Sequence, residues 1–397
     1  MKIADRIQNL GTETAFLVSA EAADYRARGQ RIYPFHLGDM NIITPANIIE
    51  ATHQAMRDGK TGYCSNYGLA ELRELLAADM NGPRGTGYTI DNVVIQPGGK
   101  PSIGKLLMAL MNPGDEVLYP NPGYPIYESQ IEYHDGVAVP YGYVEGERNF
   151  EIDLERIEVA ITPKTRILIG NDLHNPSGAV ATRQELQQLA ELACERDLFV
   201  LSDEAYFDIR YGGEPQSIVS FPGMEERSLI LYTFSKKFAM TGWRLGAAIG
   251  PQEVVDVMAK LNVNDESCSN HFIQFGAIEA LTGDQSGHQA IVATLRARRD
   301  EAVDRLNEID GVSCYRPEAT FYLFPNVTGA MQRRGTNDYE QFRKSVLDET
   351  GVAFCTRLHF GRAVAGETQR YIRLAYSGID QEEISEGLGA LKEFLES

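Results

Sequence analysis

Residues 235–246 read SKKFAMTGWRLG, with two adjacent lysines, Lys236 and Lys237, behind the apolar run SLILYTF and an arginine, Arg244, eight residues beyond the first of them. A lysine amine kept neutral by burial condenses with a carbonyl, and a guanidinium clamps a phosphate through its planar fork. On side-chain chemistry alone the two lysines are equal candidates for that amine. A second phosphate signal lies at residues 98–106, GGKPSIGKL, directly behind NVVIQ. It is one residue short of the nucleotide-binding pattern G-x-x-x-x-G-K-[ST], because Leu106 stands where the metal-binding hydroxyl belongs. LFVLSDEA at 198–205 ends in Asp-Glu as a magnesium-holding strand would, but Ser202 interrupts its apolar run. Together these describe a defective nucleoside triphosphatase. A glycine turn that offers backbone N–H groups and a helix N-terminus to some other phosphate suits the same residues better.

A cofactor carrying both an aldehyde and a phosphate calls on a lysine and an arginine so placed. Pyridoxal phosphate needs one more group, an acid that keeps its ring nitrogen protonated, and Asp203 at the end of a different strand meets that need. The elements that must position these groups are legible as short apolar runs at 92–96, 116–120, 137–141, 166–170, 198–202, 228–235 and 244–250. Several are nearly continuous in Val, Ile and Leu, as strands buried on both faces are. Amphipathic stretches such as 71–80 and 183–197 lie between them. The alternation predicts an α/β layer: a mostly parallel, seven-stranded sheet flanked by helices, with ligands at the carboxyl ends of the strands. From residue 286 a long polar helix is followed by the segments VSCYRP, TFYLFPNV, VAFCTR and YIRLAYS, with a helix near 338–349 and another at the end. That pattern predicts a smaller α+β domain. The expected division is an N-terminal arm (1–45) joining the small domain, a large cofactor-binding domain (46–285) and the small domain (286–397).

The chain has 397 residues, 43% hydrophobic and 23% charged, which is ordinary for a globular protein of two domains. Its formal charge of −19 argues against a nucleic-acid partner. The cysteines Cys64, Cys194, Cys268, Cys314 and Cys355 are widely spaced without C-x-x-C, and the histidines form no H-x-x-x-H pair, so neither a disulfide framework nor a metal centre is expected. With no signal-like block near the first residues and no membrane-length apolar run, a cytoplasmic protein is expected.

SKKFAMTGWRLG, DEAY at 203–206, NDLHNPSG at 171–178 and the arginine of YIRLAYS stand in the order and spacing of one family. Across essentially its whole length the chain resembles the fold-type I, aspartate-aminotransferase-like pyridoxal-phosphate enzymes of aminotransferase class I/II. That resemblance implies that Lys236 is the Schiff-base lysine, the gap to Arg244 favouring it over Lys237. Arg244, Thr233, Ser235 and the backbone of Gly99 and Lys100 would hold the phosphate, with Thr233 and Ser235 on one strand face by period two. Asp203 would pair with the ring nitrogen, Tyr206 and Asn175 would bond the phenolic oxygen with Asn171 behind them, and Tyr124 would stack on the ring. Leu106 becomes core packing. Tyr63 matches a tyrosine that reaches the phosphate of the neighbouring subunit, implying a homodimer with shared sites. Arg373, with Gly38 N–H and Asn175, would bind the substrate α-carboxylate. Met40 and Ala319 depart from the proline and glycine usual at their positions.

The implied reaction is ping-pong transamination between an L-amino acid and a 2-oxo acid, with glutamate and 2-oxoglutarate as the exchange pair. Lys100 matches a position that contacts the distal carboxylate in some acidic-substrate members, which favours an aspartate-type donor. Asp265 and Glu266 fall roughly where other members place a distal-carboxylate arginine; pointing inward, they would suit a neutral or basic substrate instead. Both readings stand. The same scaffold also carries β-eliminating lyases, the alternative in kind.

Overall fold

The computed structural model describes residues 2–11 and 13–397. Each of the seven apolar runs forms a strand: β1 (Val93–Gln96), β2 (Glu116–Pro120), β3 (Val137–Tyr141), β4 (Thr165–Gly170), β5 (Phe199–Asp203), β6 (Ser228–Thr233) and β7 (Gly246–Ile249). All seven join one sheet in the order β1-β7-β6-β5-β4-β2-β3. Neighbours are parallel except at β7, which runs antiparallel to both β1 and β6.

Every residue of β1, β6 and β7 is buried, which is why these runs show no polar alternation. Alternate side chains feed two separate cores. Val94, Leu229, Leu231 and Ala248 pack under α2 (Lys100–Leu110) and α4 (Gln252–Asp265). Val93, Ile95, Ile230 and Ile249 pack with α1 (Ala70–Arg84), α3 (Arg183–Glu195) and α5 (His271–Thr282) on the other face. The start of α3 is fixed by a capping box, Thr182 accepting from Glu185 N–H and Glu185 accepting from Thr182 N–H.

A further core is built from the C-terminal part. β8 (Tyr322–Leu323), β9 (Cys355–Thr356) and β10 (Ile372–Ala375) form an antiparallel sheet in the order β8-β10-β9, and Leu295 of α6 (Ser286–Asn307), Val346 of α7 (Tyr339–Thr350) and Leu388 of α8 (Gln381–Glu396) pack into the same core. Tyr33 and Phe35, near the start of the chain, enter this core, and Tyr33–Pro34 pairs in parallel with Val352–Ala353. Of the segments expected here, VSCYRP yields only a bridge from Ser313 to Asn326, because the Cys314 N–H is taken by the Asn307 side chain.

The reversed direction of β7 matters for the site. Asp203 and Thr233 terminate β5 and β6 at their carboxyl ends, whereas Arg244 lies ahead of β7 and so emerges at that same edge. Among the described residues, no helix is long and apolar enough to cross a membrane, and no cluster of His, Cys, Asp or Glu could hold a metal ion.

Candidate active site

At this edge lies a cavity of ≈ 600 Å³ lined by Gly38, Gly99, Lys100, Tyr124, Asn171, Asn175, Asp203, Tyr206, Thr233, Ser235, Lys236, Arg244 and Arg373. Residues far apart in the chain thus share one wall. Other candidates lie outside it. Lys237 turns away and pairs with Asp208 at 3.0 Å, which separates the two lysines that side-chain chemistry left equal. Tyr63 is 87% exposed on the surface of its chain. Met40 and Ala319 pack with the C-terminal core.

The nucleotide reading fails on position. Lys105, the lysine of the P-loop-like pattern, is buried away from the cavity and donates to Gln96 (3.2 Å), Asn262 (2.7 Å) and Glu266 (2.5 Å). Glu204, the acid after Asp203, is buried in an ion pair with Arg84 at 2.6 Å. Leu106 is fully buried in the core below α2. Glu266 is therefore committed to Lys105, and Asp265 lies on the surface at 4.0 Å from the same ammonium. The inward placement of this acidic pair is not what the chain adopts.

The phosphate end departs from a simple strand. β6 stops at Thr233, and Phe234–Lys237 form a single helical turn. The Thr233 hydroxyl caps that turn by accepting from Ser235 N–H (3.2 Å), so Thr233 and Ser235 do not share a strand face, yet their hydroxyls meet at 2.8 Å. Arg244 donates to the Thr241 carbonyl at 2.7 Å and has no carboxylate partner among the described residues. Gly99 and Lys100 open α2 toward the cavity.

Lys236 and Asp203 are pushed in opposite directions. Burial lowers the Lys236 amine to about 8, assisted by Arg244 and Arg373 and opposed by Asp39 and Glu13. Its Nζ donates to the Gly38 carbonyl at 3.0 Å. Burial raises Asp203 to about 6, opposed by the hydrogen bonds it accepts from Tyr127 Oη (2.5 Å) and Ala205 N–H (3.1 Å). Asn171 braces two segments at once, donating to the Asp203 carbonyl (2.9 Å) and accepting from Asn175 N–H (2.8 Å).

Arg373, on β10, reaches across from the other core. It donates to the His36 carbonyl (2.5 Å) and to Asn175 Oδ1 (3.4 Å), and its guanidinium lies 4.6 Å from the Tyr322 ring centre and 4.4 Å from that of Phe360. Its Nε is buried without a hydrogen-bond partner. Tyr206 and Tyr322 share a hydrogen bond of 2.8 Å between hydroxyls. Gly38 makes room for this group, since a Cβ there would collide with the Tyr322 hydroxyl.

Three residues escaped sequence reasoning. Tyr127 lies one helical turn beyond Tyr124, and only that spacing hinted at it. Tyr322 and Glu13 carried no signal, being single residues without motif partners. Glu13, from the arm, accepts from Tyr124 Oη at 2.6 Å and pairs with Lys100.

The residues fit pyridoxal phosphate on their own geometry. A guanidinium without an acidic partner lies beside two hydroxyls and a helix N-terminus, a largely enclosed amine lies in the same cavity, and a buried carboxyl held by two donors completes the set. Arg373 keeps an unpartnered donor for a further anion.

A family model described as aminotransferase class I and II matches residues 34–391. The chain is 34% identical over 378 residues to an aspartate aminotransferase of Musicola paradisiaca, covering 95% of this chain and 92% of that one. Among solved structures it resembles the aspartate aminotransferase of Thermus thermophilus with maleate (TM-score 0.90, 30% identity, 99% of each chain). It also resembles an alanine aminotransferase from Pyrococcus furiosus (TM-score 0.91, 26% identity, 100% of each chain).

Proposed function

The chain belongs to the class I and II aminotransferases and is a pyridoxal-phosphate-dependent transaminase; from that premise we propose that it works by a ping-pong cycle in which one site serves two half-reactions, with glutamate and 2-oxoglutarate as one exchange pair. When bound, the cofactor supplies an aldehyde for the amine and a protonated ring that draws electrons from the substrate α-carbon. The chain supplies the rest. Arg244, the hydroxyls of Thr233 and Ser235 and the N–H groups of Gly99 and Lys100 hold the phosphate. The Asp203 carboxylate keeps the ring nitrogen protonated, and Tyr127 and Ala205 N–H aim it. Tyr206 and Asn175 would bond the phenolic oxygen, and Tyr124 would stack on the ring.

Arg373 binds the substrate α-carboxylate with Gly38 N–H and Asn175, fixing which α-bond faces Lys236. The Lys236 Nζ then takes the α-proton and returns it at the carbon two bonds away, a task that suits an amine whose proton affinity burial has lowered toward neutrality. The arm (1–45) and the small domain (286–397) close on the large domain (46–285) over the bound carboxylate and exclude water. Tyr63, exposed on its own chain, completes the phosphate site of a second copy, so the working form is a homodimer, placed in the cytoplasm.

The observation that supports this reading most is that Lys236 and Asp203 face one cavity with opposite shifts in proton affinity. The test is a single-turnover experiment. A transaminase treated with L-amino acid alone releases one equivalent of 2-oxo acid per site and stops until a second oxo acid is added. Continuous ammonia and oxo-acid release without an acceptor would mark the β-eliminating lyase instead.

A further inference from the structure

Besides Lys236, three Lys or Arg side chains line the cavity, and they differ in how they are engaged. Arg244 and Arg373 have no acidic partner among the described residues, whereas Lys100 is paired with a carboxylate of the chain itself, that of Glu13. The same Glu13 oxygen accepts the Tyr124 hydroxyl at 2.6 Å, and the Lys100 ammonium lies 5.7 Å from the Tyr124 ring centre. Glu13 is also near enough to the reacting groups to raise the proton affinity of Lys236 and of Tyr322. The arm therefore delivers a negative charge to the wall that Lys100 would otherwise offer to a second substrate carboxylate. Asp265 and Glu266, the acidic pair first considered for such a role, are spent on Lys105.

We propose that Glu13 is a specificity-determining residue, an internal carboxylate that holds Lys100 while the substrate side chain is uncharged and that must be displaced before a dicarboxylate binds. The proposal rests on the aminotransferase reading for its choice of ligands. A substrate with one carboxylate places it on Arg373 and leaves the Glu13–Lys100 pair intact. A second carboxylate would meet Glu13 as a like charge, in a part-enclosed site where repulsion is stronger than in water. Glu13 lies in the short link between the helical turn Asp5–Asn9 and the helix Ala15–Ala27, and so within neither helix.

The test uses the holoenzyme and two inert anions, maleate as dicarboxylate and propionate as monocarboxylate, titrated calorimetrically into the wild type, Glu13→Gln and Lys100→Gln. Glu13→Gln should shift the ratio of maleate to propionate affinity roughly fivefold toward maleate, the scale of a part-exposed ion pair. Lys100→Gln should shift it the other way and serves as the second variant should the first misfold. The kcat/KM ratio for glutamate over alanine should move with the maleate ratio. A maleate-to-propionate ratio that stays within twofold in Glu13→Gln, or that rises in Lys100→Gln, overturns the proposal. A wild type that transaminates no donor would defeat the aminotransferase reading and leave the anion ratios to decide the role of Glu13.

Discussion

Gly98 leaves open the space in which the Arg244 guanidinium lies: a Cβ on Gly98 would collide with Nη2 and Cζ of that arginine. Both residues adopt positive φ, 99° at Gly98 and 55° at Arg244. The glycine follows the first strand of the sheet and the arginine precedes the last. They meet because the last strand is laid antiparallel beside the first.

Gly98→Ala should therefore disturb the phosphate clamp without touching the amine. Cofactor affinity should fall about tenfold or more, the yield of one lost charge-assisted hydrogen bond, while far-ultraviolet circular dichroism stays native. Absorbance titration with pyridoxal phosphate measures it. An unchanged affinity would remove Arg244 from the phosphate site.

Lys236 and Lys237 are adjacent in the chain but face different surroundings. After borohydride reduction, mass spectrometry should find the cofactor fixed at position 236 in the wild type and in Lys237→Ala, and absent in Lys236→Ala. Turnover in Lys236→Ala should drop by ~10³ or more, the scale of losing a positioned general base. Lys237→Ala should lose only its pairing with Asp208.

The acid at the ring nitrogen sets a pH dependence. Asp203 has its proton affinity raised by burial to about 6, so in the cofactor-free protein it is a carboxylate above that pH and a neutral acid below it. Only the carboxylate balances a cationic ring. Affinity for the cofactor should weaken as pH falls from 7 through about 6, and binding titrations at several pH values should show the step. In Asp203→Asn the step should vanish, leaving uniformly weak binding.

Tyr63 can be tested by mixing subunits. If it serves the site of a second copy, Tyr63→Phe alone should weaken cofactor binding roughly fivefold through one lost hydrogen bond. Refolding Tyr63→Phe together with Lys236→Ala should restore a population of sites with normal affinity, because the mixed dimer pairs an intact Lys236 with an intact Tyr63. Sedimentation should give twice the 44.1 kDa chain mass. A monomer with full affinity would refute the arrangement.

Much of this architecture was legible beforehand, for a physical reason. Strands buried on both faces carry unbroken Val, Ile and Leu, so β1 through β7 declared themselves within a residue or two. Lys236 or Lys237, Arg244 and Asp203 stood out beside such strands, whereas the choice of Lys236 and the part given to Arg373 came from the resemblance to the aminotransferases. The turn at Thr233–Lys237 was not, because a capping hydroxyl and a strand-terminal hydroxyl look alike in sequence. Glu13, Tyr127 and Tyr322 act through contacts set only by tertiary packing, and VSCYRP lost its strand to the side chain of Asn307, which bonds the Cys314 N–H.

The placement of β1 has a consequence for how the chain matures. It is the earliest strand of the sheet to leave the ribosome, yet its only neighbour there is the latest, β7. The glycine turn behind it stays unanchored until synthesis has passed residue 249, and pairings between such distant segments form slowly. The edge of the sheet that carries the glycine turn is thus completed only once the strand Gly246–Ile249 has been made.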